Sequence, residues 1–193
     1  MTDLTHDVLV QLAIQWLKLP WRNPRWRDGE VGDHSACGVV VSELVTFSLE
    51  TPDAIGWHQG ISTVVECKTS RADFRADTKK SFRMCPELGM GVYRYFMTPK
   101  GLVTVDELPE NWGLIEVNDN WKTRVVKASG HFEADARSEN VLLVSLLRRL
   151  KGIEHDNHVG VKTYSPFPGN KKKATMSIES GDPQDSCGIT EDK

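Results

Sequence analysis

Two acidic residues and a lysine are spaced along the chain in a way that could bring them into one site. Asp53 precedes a short apolar segment, a turn around Gly60, and a second apolar segment that ends in Glu66 and Lys68. Alternate side chains of a strand share a face, so Glu66 and Lys68 project together, and a hairpin would fold Asp53 back beside them. Neighbouring carboxylates repel one another unless a cation neutralises them, and oxygen ligands suit Mg²⁺ or Mn²⁺. The spacing therefore predicts a site for Mg²⁺, with Mn²⁺ as a substitute, next to a lysine ammonium.

Such a site could hydrolyse a phosphodiester bond. A bound divalent cation polarises a phosphate oxygen and lowers the pKa of a coordinated water. The charge of Lys68 could hold the attacking hydroxide or a non-bridging phosphate oxygen. Considered separately, these residues have ordinary structural explanations. Asp53 could be a turn-forming aspartate, and Glu66 and Lys68 could form an exposed ion pair. Their joint spacing favours the catalytic interpretation.

The predicted elements that position these residues run in the order helix, three strands, helix, strands, helix. Hydrophobic periodicity predicts helices and strands, and Ser70 has the spacing of an N-cap. Glu43 interrupts the first strand as a buried carboxylate. This order is typical of an α/β domain with a central mixed sheet flanked by helices. The helices are predicted at 5–18, 71–84 and 138–150, and the strands at 38–47, 54–57, 61–67, 92–97, 112–117 and 123–126.

Length and composition favour a single domain with a C-terminal tail. The 193 residues suffice for one ordinary core, which we place at 1–151, and the periodicity disappears afterwards, so 152–193 is predicted to be an extended or partly disordered tail. No apolar run approaches the ~20 residues that span a bilayer, and the first residues lack a signal-peptide pattern. We therefore expect a cytoplasmic protein without a membrane partner.

The motifs resemble the PD-(D/E)xK nuclease superfamily, in particular small bacterial and phage members similar to the MmcB-like DNA repair proteins. The resemblance rests on three strings: Pro52-Asp53-Ala54, the segment from Val64 to Phe74, and the segment from Asp77 to Lys80. It covers roughly 43–117. It implies a restriction-endonuclease-like core and a Mg²⁺-dependent deoxyribonuclease.

The same resemblance implies roles for individual residues. Asp53 and Glu66 would be metal ligands, and the backbone carbonyl of Cys67 would be a further ligand. Lys68 would be the catalytic lysine. Many superfamily members carry one more acid upstream, and Glu43 matches that catalytic position approximately.

The net charge of −3 gives no general nucleic-acid signature. Two basic segments are nevertheless local candidates for binding the DNA phosphate backbone. The predicted helix 71–84 could instead present a solvated, internally paired face, and the tryptophans of the earlier loop could be core residues. The candidate contacts are Arg71, Arg75, Lys79 and Lys80 on the helix and Arg22, Arg25 and Trp26 in the loop.

Two further functions stay open at this point. The chain could be an inactive DNA-binding or protein-interaction module on a nuclease fold, or a structure-selective endonuclease for DNA junctions. A homodimer would favour the structure-selective endonuclease or a site-specific, restriction-like enzyme, because paired active sites cut two strands. A protein partner would favour the interaction module.

Overall fold

A six-stranded mixed sheet with helices on both faces forms the centre of the protein. The computed structural model describes residues 4–19 and 36–153. This arrangement confirms the predicted α/β fold class. The strands are β1 (Val39–Ser42), β2 (Ala54–His58), β3 (Ile61–Cys67), β4 (Tyr93–Pro99), β5 (Gly113–Val117) and β6 (Thr123–Lys127), and the helices are α1 (His6–Lys18), α2 (Arg71–Asp77), α3 (Ser81–Met84) and α4 (Ala136–Ile153).

Strands β1, β2 and β3 form an antiparallel meander, as predicted for the hairpin. Gln59 and Gly60 connect β2 to β3 with φ values of 48° and 82°. Two successive positive φ values define the tight hairpin turn whose twist matches that of the strands, and glycine adopts this conformation without strain. Since Ala54 pairs with Val65, the register continues to place Asp53 opposite Glu66.

Strand β4 runs parallel to β3, and the chain between them contains α2 and α3. Strand β5 is parallel to β4, and β6 closes the sheet antiparallel to β5. The predicted pairing of the last two strands is confirmed. Helix α2 begins directly after β3, so residues that follow Lys68 return over the end of the hairpin.

Alternation along β3 assigns its side chains to two separate cores. Val65 and Cys67 pack with α1, whose apolar stripe includes Leu9 and Ala13. Val64 faces the other way and packs in the core that contains Leu142 of α4. Glu66 therefore projects from the face of the sheet opposite α1.

Beside the apolar contacts of Leu142, one carboxylate of α4 forms three hydrogen bonds to that face. Glu139 accepts hydrogen bonds from Trp57 Nε1 at 3.2 Å, from Ser62 Oγ at 2.7 Å and from the Gly91 N–H at 2.9 Å. These donors come from β2, β3 and the segment before β4. Helix α4 is thereby fixed against the strands that carry the candidate site.

Two predicted elements are shorter than the sequence suggested. The strand predicted at 38–47 ends at Ser42, because Glu43 adopts a φ of 49° that a strand cannot contain. Phe47 is fully exposed rather than buried. The helix predicted at 71–84 divides into α2 and α3, although Ser70 caps it as expected by accepting a hydrogen bond from the Asp73 N–H.

Several predictions fall outside the described residues. Arg22, Arg25 and Trp26 lie there, as does nearly all of the predicted tail. Among the described residues, no helix combines the length and apolar composition needed to cross a bilayer.

Candidate active site

Asp53, Glu66 and Lys68 come together at the end of the β2–β3 hairpin. Asp53 Oδ2 accepts a hydrogen bond of 2.7 Å from the Cys67 N–H, which fixes that carboxylate beside the strand. Lys68 Nζ lies 3.4 Å from Glu66 Oε2 and 4.0 Å from Asp53 Oδ2. The ammonium and both carboxylates thus occupy one small region, in the arrangement that the spacing predicts. The thiol of Cys67 packs on the α1 side of the sheet.

A third carboxylate reaches the same ammonium from α2. Asp77 Oδ1 lies 3.4 Å from Lys68 Nζ, and the side chain of Asp77 is only 1% exposed. Helical periodicity explains its direction, since Asp77 follows the buried Phe74 by three residues and shares its face. On a solvated, internally paired helix face, one of the alternatives left open above, Asp77 would be exposed; the structure places it inside.

Arg83 connects three carboxylates beneath the site. Its Nε donates to Asp77 Oδ2 at 2.8 Å, and its Nη1 donates to Glu50 Oε1 at 2.5 Å. Its Nη2 lies 3.1 Å from Glu66 Oε1, but without hydrogen-bond geometry, and neither atom has a hydrogen-bond partner within the described residues. Glu50 in turn accepts from the Met90 N–H at 2.6 Å. The arginine side chain is 1% exposed, so these pairs are shielded from water.

Sequence reasoning missed Arg83 and Glu50 as members of the site. The two are separated by 33 residues, and a pairing at that range leaves no local periodic signal. Asp77 had a weak signal, because an acid three residues after a helix aromatic can share its buried face.

Burial and the crowding of charges change the ionisation of the site. Burial raises the pKa of Glu66 to about 7, and Asp53 and Asp77 add to this effect while Arg83 and Lys68 oppose it. Burial alone would lower the pKa of Lys68, but the surrounding carboxylates outweigh it and raise that pKa. For Asp77, burial is outweighed by Arg83 and Lys68, which lower its pKa to about 2. Lys68 and Asp77 are therefore ionised at neutral pH, whereas burial favours the protonated form of Glu66.

Glu43, predicted as a buried additional acid, lies at the exposed edge of the site. Its side chain is 56% exposed, and its Oε1 is 3.6 Å from His6 Nε2. The same His6 nitrogen lies 3.6 Å from Asp53 Oδ1. The prediction that Glu43 is buried is wrong, because the left-handed turn at this residue directs the chain out of the sheet. His6, which the sequence analysis did not select, links Glu43 to Asp53.

The basic residues predicted on the helix, Arg71, Arg75, Lys79 and Lys80, lie on α2 or in the segment that follows it. All four are exposed. Arg71 is paired with Glu107 of the loop before β5, and Lys80 Nζ lies 2.6 Å from Asp77 Oδ1. Lys80 therefore belongs partly to the site, while Arg75 and Lys79 point to no carboxylate among the described ion pairs.

Comparison with known proteins gives one structural similarity. No protein-family model and no curated protein matches the chain. Among solved structures, the chain is similar to SPO1766, a protein of unknown function from Silicibacter pomeroyi, with 24% sequence identity and a TM-score of 0.45. The similarity covers 63% of this chain and 83% of that one.

Proposed function

We propose that the protein is a metal-dependent nuclease that hydrolyses phosphodiester bonds in DNA, at a site of the PD-(D/E)xK type. The observation that carries this proposal is the convergence of Asp53, Glu66 and Lys68 at one end of a hairpin, with the ammonium 3.4 to 4.0 Å from the two carboxylates. The motif resemblance assigns roles to the same three residues.

The charge balance of the site supports a divalent cation. Four carboxylates, those of Asp53, Glu66, Asp77 and Glu50, face the two buried cations Lys68 and Arg83, which leaves an excess of two negative charges. Half-exposed Lys80 offsets part of this from the surface. Uncompensated buried charge is strongly unfavourable, and a proton on Glu66 or a bound cation would relieve it. Glu66 Oε1 is buried 3.1 Å from Arg83 Nη2 and has no hydrogen-bond partner among the described groups, so hydrogen bonds do not fully satisfy this carboxylate.

The ligand chemistry fits Mg²⁺ or Mn²⁺. Carboxylate oxygens are the ligands that these cations prefer, and Mg²⁺ commonly keeps several waters and binds through one or two carboxylates. Within residues 4–19 and 36–153, no three His, Cys, Asp or Glu side chains are grouped so that together they could hold a metal ion. Asp53 and Glu66 would therefore hold the ion together with backbone and water oxygens, and the Cys67 carbonyl is the proposed backbone ligand. A cation bound there supplies Lewis-acid activation of the phosphate and of a water.

The charged state of Lys68 indicates its role in the proposed reaction. Because the surrounding carboxylates raise its pKa, it is a cation at neutral pH and acts as a hydrogen-bond donor. It can donate to a non-bridging phosphate oxygen and stabilise the negative charge that develops during attack by water. The exposed cations Arg75 of α2 and Lys79 just after it can contact flanking phosphates and hold the DNA backbone.

Cleavage assays with paired variants test the proposal. Purified protein is incubated with plasmid, linear duplex and single-stranded DNA in Mg²⁺, Mn²⁺ or EDTA. We expect cleavage that requires the metal and that falls at least about a hundredfold in Glu66→Gln and in Lys68→Met, since each removes a group that acts on the reacting phosphate. Glu110→Gln, which neutralises an exposed acid, should retain full activity.

The rival function is a DNA-binding or interaction module that does not cut. DNA binding without cleavage in any metal, or unchanged cleavage in both site variants, would contradict the nuclease proposal. Circular dichroism spectra that match the wild type establish that a lost activity does not reflect unfolding.

A further inference from the structure

Asp77 differs from the other two acids around Lys68 because it comes from a helix rather than from the hairpin. Its Oδ1 is as close to Lys68 Nζ as Glu66 Oε2 is, at 3.4 Å, whereas Asp53 Oδ2 lies at 4.0 Å. The ammonium therefore lies between α2 and the hairpin, closer to Asp77 and Glu66 than to Asp53. A lysine with only the two hairpin acids as partners would settle between them.

Asp77 is itself immobilised from the opposite side. Arg83 Nε donates to its Oδ2 at 2.8 Å, and Lys80 Nζ lies 2.6 Å from its Oδ1. Arg83 is fixed in turn by Glu50 and lies over the Trp112 ring, 4.6 Å from its centre. With its side chain 1% exposed, Asp77 has no free space in which to follow Lys68.

We propose that Asp77 is a positioning residue for Lys68, which draws the ammonium toward α2 and keeps it out of the place between Asp53 and Glu66 where the divalent cation binds. The inference rests on the proposed function, because it assigns that place to a metal ion. An ammonium and a divalent cation compete for the same two carboxylates, so whatever restrains the ammonium favours the metal.

Loss of the Asp77 charge should weaken binding of the divalent cation in two ways. Lys68 loses one of its three anionic partners and moves toward Asp53 and Glu66. The cluster also loses one negative charge, which weakens its attraction for a cation. The two contributions are separable, because only the first requires Lys68.

The test measures the dissociation constant of Mn²⁺ for the full chain by titration calorimetry, counting only the binding that Glu66→Gln abolishes. Asp77→Asn should raise this constant about tenfold or more. In a Lys68→Met background the same substitution should change it by about threefold or less, since contacting residues couple and the coupling disappears when one partner is absent. Asp73→Asn, which removes an exposed acid from the same helix, should leave the constant within about threefold of the wild type.

A second variant covers the case in which Asp77→Asn does not fold, because it leaves Arg83 with one fewer partner. Asp77→Asn combined with Arg83→Gln removes one charge of each sign and keeps the net charge of the cluster. The double variant releases Lys68 in the same way, and we expect the same increase of about tenfold or more in the dissociation constant.

The outcomes distinguish this inference from the proposed function. If the wild type binds Mn²⁺ and cuts DNA, but the folded Asp77 variants bind Mn²⁺ as tightly as it does, the positioning role is refuted and the nuclease stands. An equal loss of affinity in the Lys68→Met background also refutes it, because the effect would then be one of charge alone. If the wild type neither binds Mn²⁺ nor cuts DNA, the proposed function fails and the inference fails with it.

Discussion

Replacing Glu66 by glutamine should stabilise the metal-free protein at alkaline pH. Burial first, and then the neighbouring Asp53 and Asp77, raise the pKa of Glu66 from 4.5 to about 7, so the folded state holds a proton that the unfolded state has already released. Folding stability therefore falls as pH rises from about 4.5 to 7, and stays lower above that window. A shift of this size corresponds to about 3 kcal/mol of stability at pH 8. Glutamine resembles the protonated carboxyl and avoids this loss.

Urea unfolding in EDTA at a series of pH values measures the difference between Glu66→Gln and the wild type. The gain should be near zero at pH 4.5 and should reach about 3 kcal/mol at pH 8, while the m-value stays unchanged. Added Mg²⁺ should stabilise the wild type in proportion to the logarithm of its concentration and should leave the variant unaffected. The exposed Glu110→Gln should show no gain at any pH.

A loss of stability in Glu66→Gln at pH 8, or a gain that does not change with pH, would refute the reasoning. Either result would mean that the ionised Glu66 is satisfied by Lys68 and Arg83 without a metal. The excess negative charge that supports the divalent cation would then be absent from the site.

Two further predictions concern positions away from the reacting groups. Arg94, fully buried, donates to the backbone carbonyls of Gly91, Pro86 and Gly89, so Arg94→Met should lower the free energy of unfolding by about 3 kcal/mol in urea. The dissociation constant of Mn²⁺ for the Arg94→Met variant should equal that of the wild type. A larger dissociation constant in the folded variant would show that this arginine belongs to the site. Gly60→Ala should cost about 1 kcal/mol, because the turn requires a φ of 82° that alanine resists. Equal urea midpoints for Gly60→Ala and the wild type would contradict this account of the turn.

The local parts of the fold were readable from the sequence, and the parts that depend on distant pairing were not. Gly60 between two apolar segments predicts the hairpin, and the N-cap pattern at Ser70 predicts the start of α2. From these two features the meeting of Asp53, Glu66 and Lys68 follows by strand periodicity. The arrangement of these three candidate-site residues is thus a local property of about sixteen residues.

The residues that surround this site are brought there by tertiary contacts, and the hydrophobic periodicity of the sequence does not predict such contacts. The sequence pattern predicts Arg83 as one more cation of a continuous helix. Helix α2 instead ends at Asp77, and Arg83 of α3 points inward to pair with Glu50. Glu43 sits in an apolar stretch that resembles a longer strand, and only its positive φ takes it to the surface. In both cases a long-range contact or a backbone conformation overrides the local propensity.

The order of the strands has a consequence for how the protein folds. Each strand of the sheet lies beside the strands that precede and follow it in the chain, but the parallel pairs β3–β4 and β4–β5 each require a crossover. The β2–β3 hairpin needs only local contacts, so we expect it to pair before the parallel strands do. On this order Asp53, Glu66 and Lys68 would meet in an early step, and Asp77 with Arg83 would join them when the crossover to β4 closes. The hairpin part of the candidate site would thus form before the part that α2 and α3 contribute.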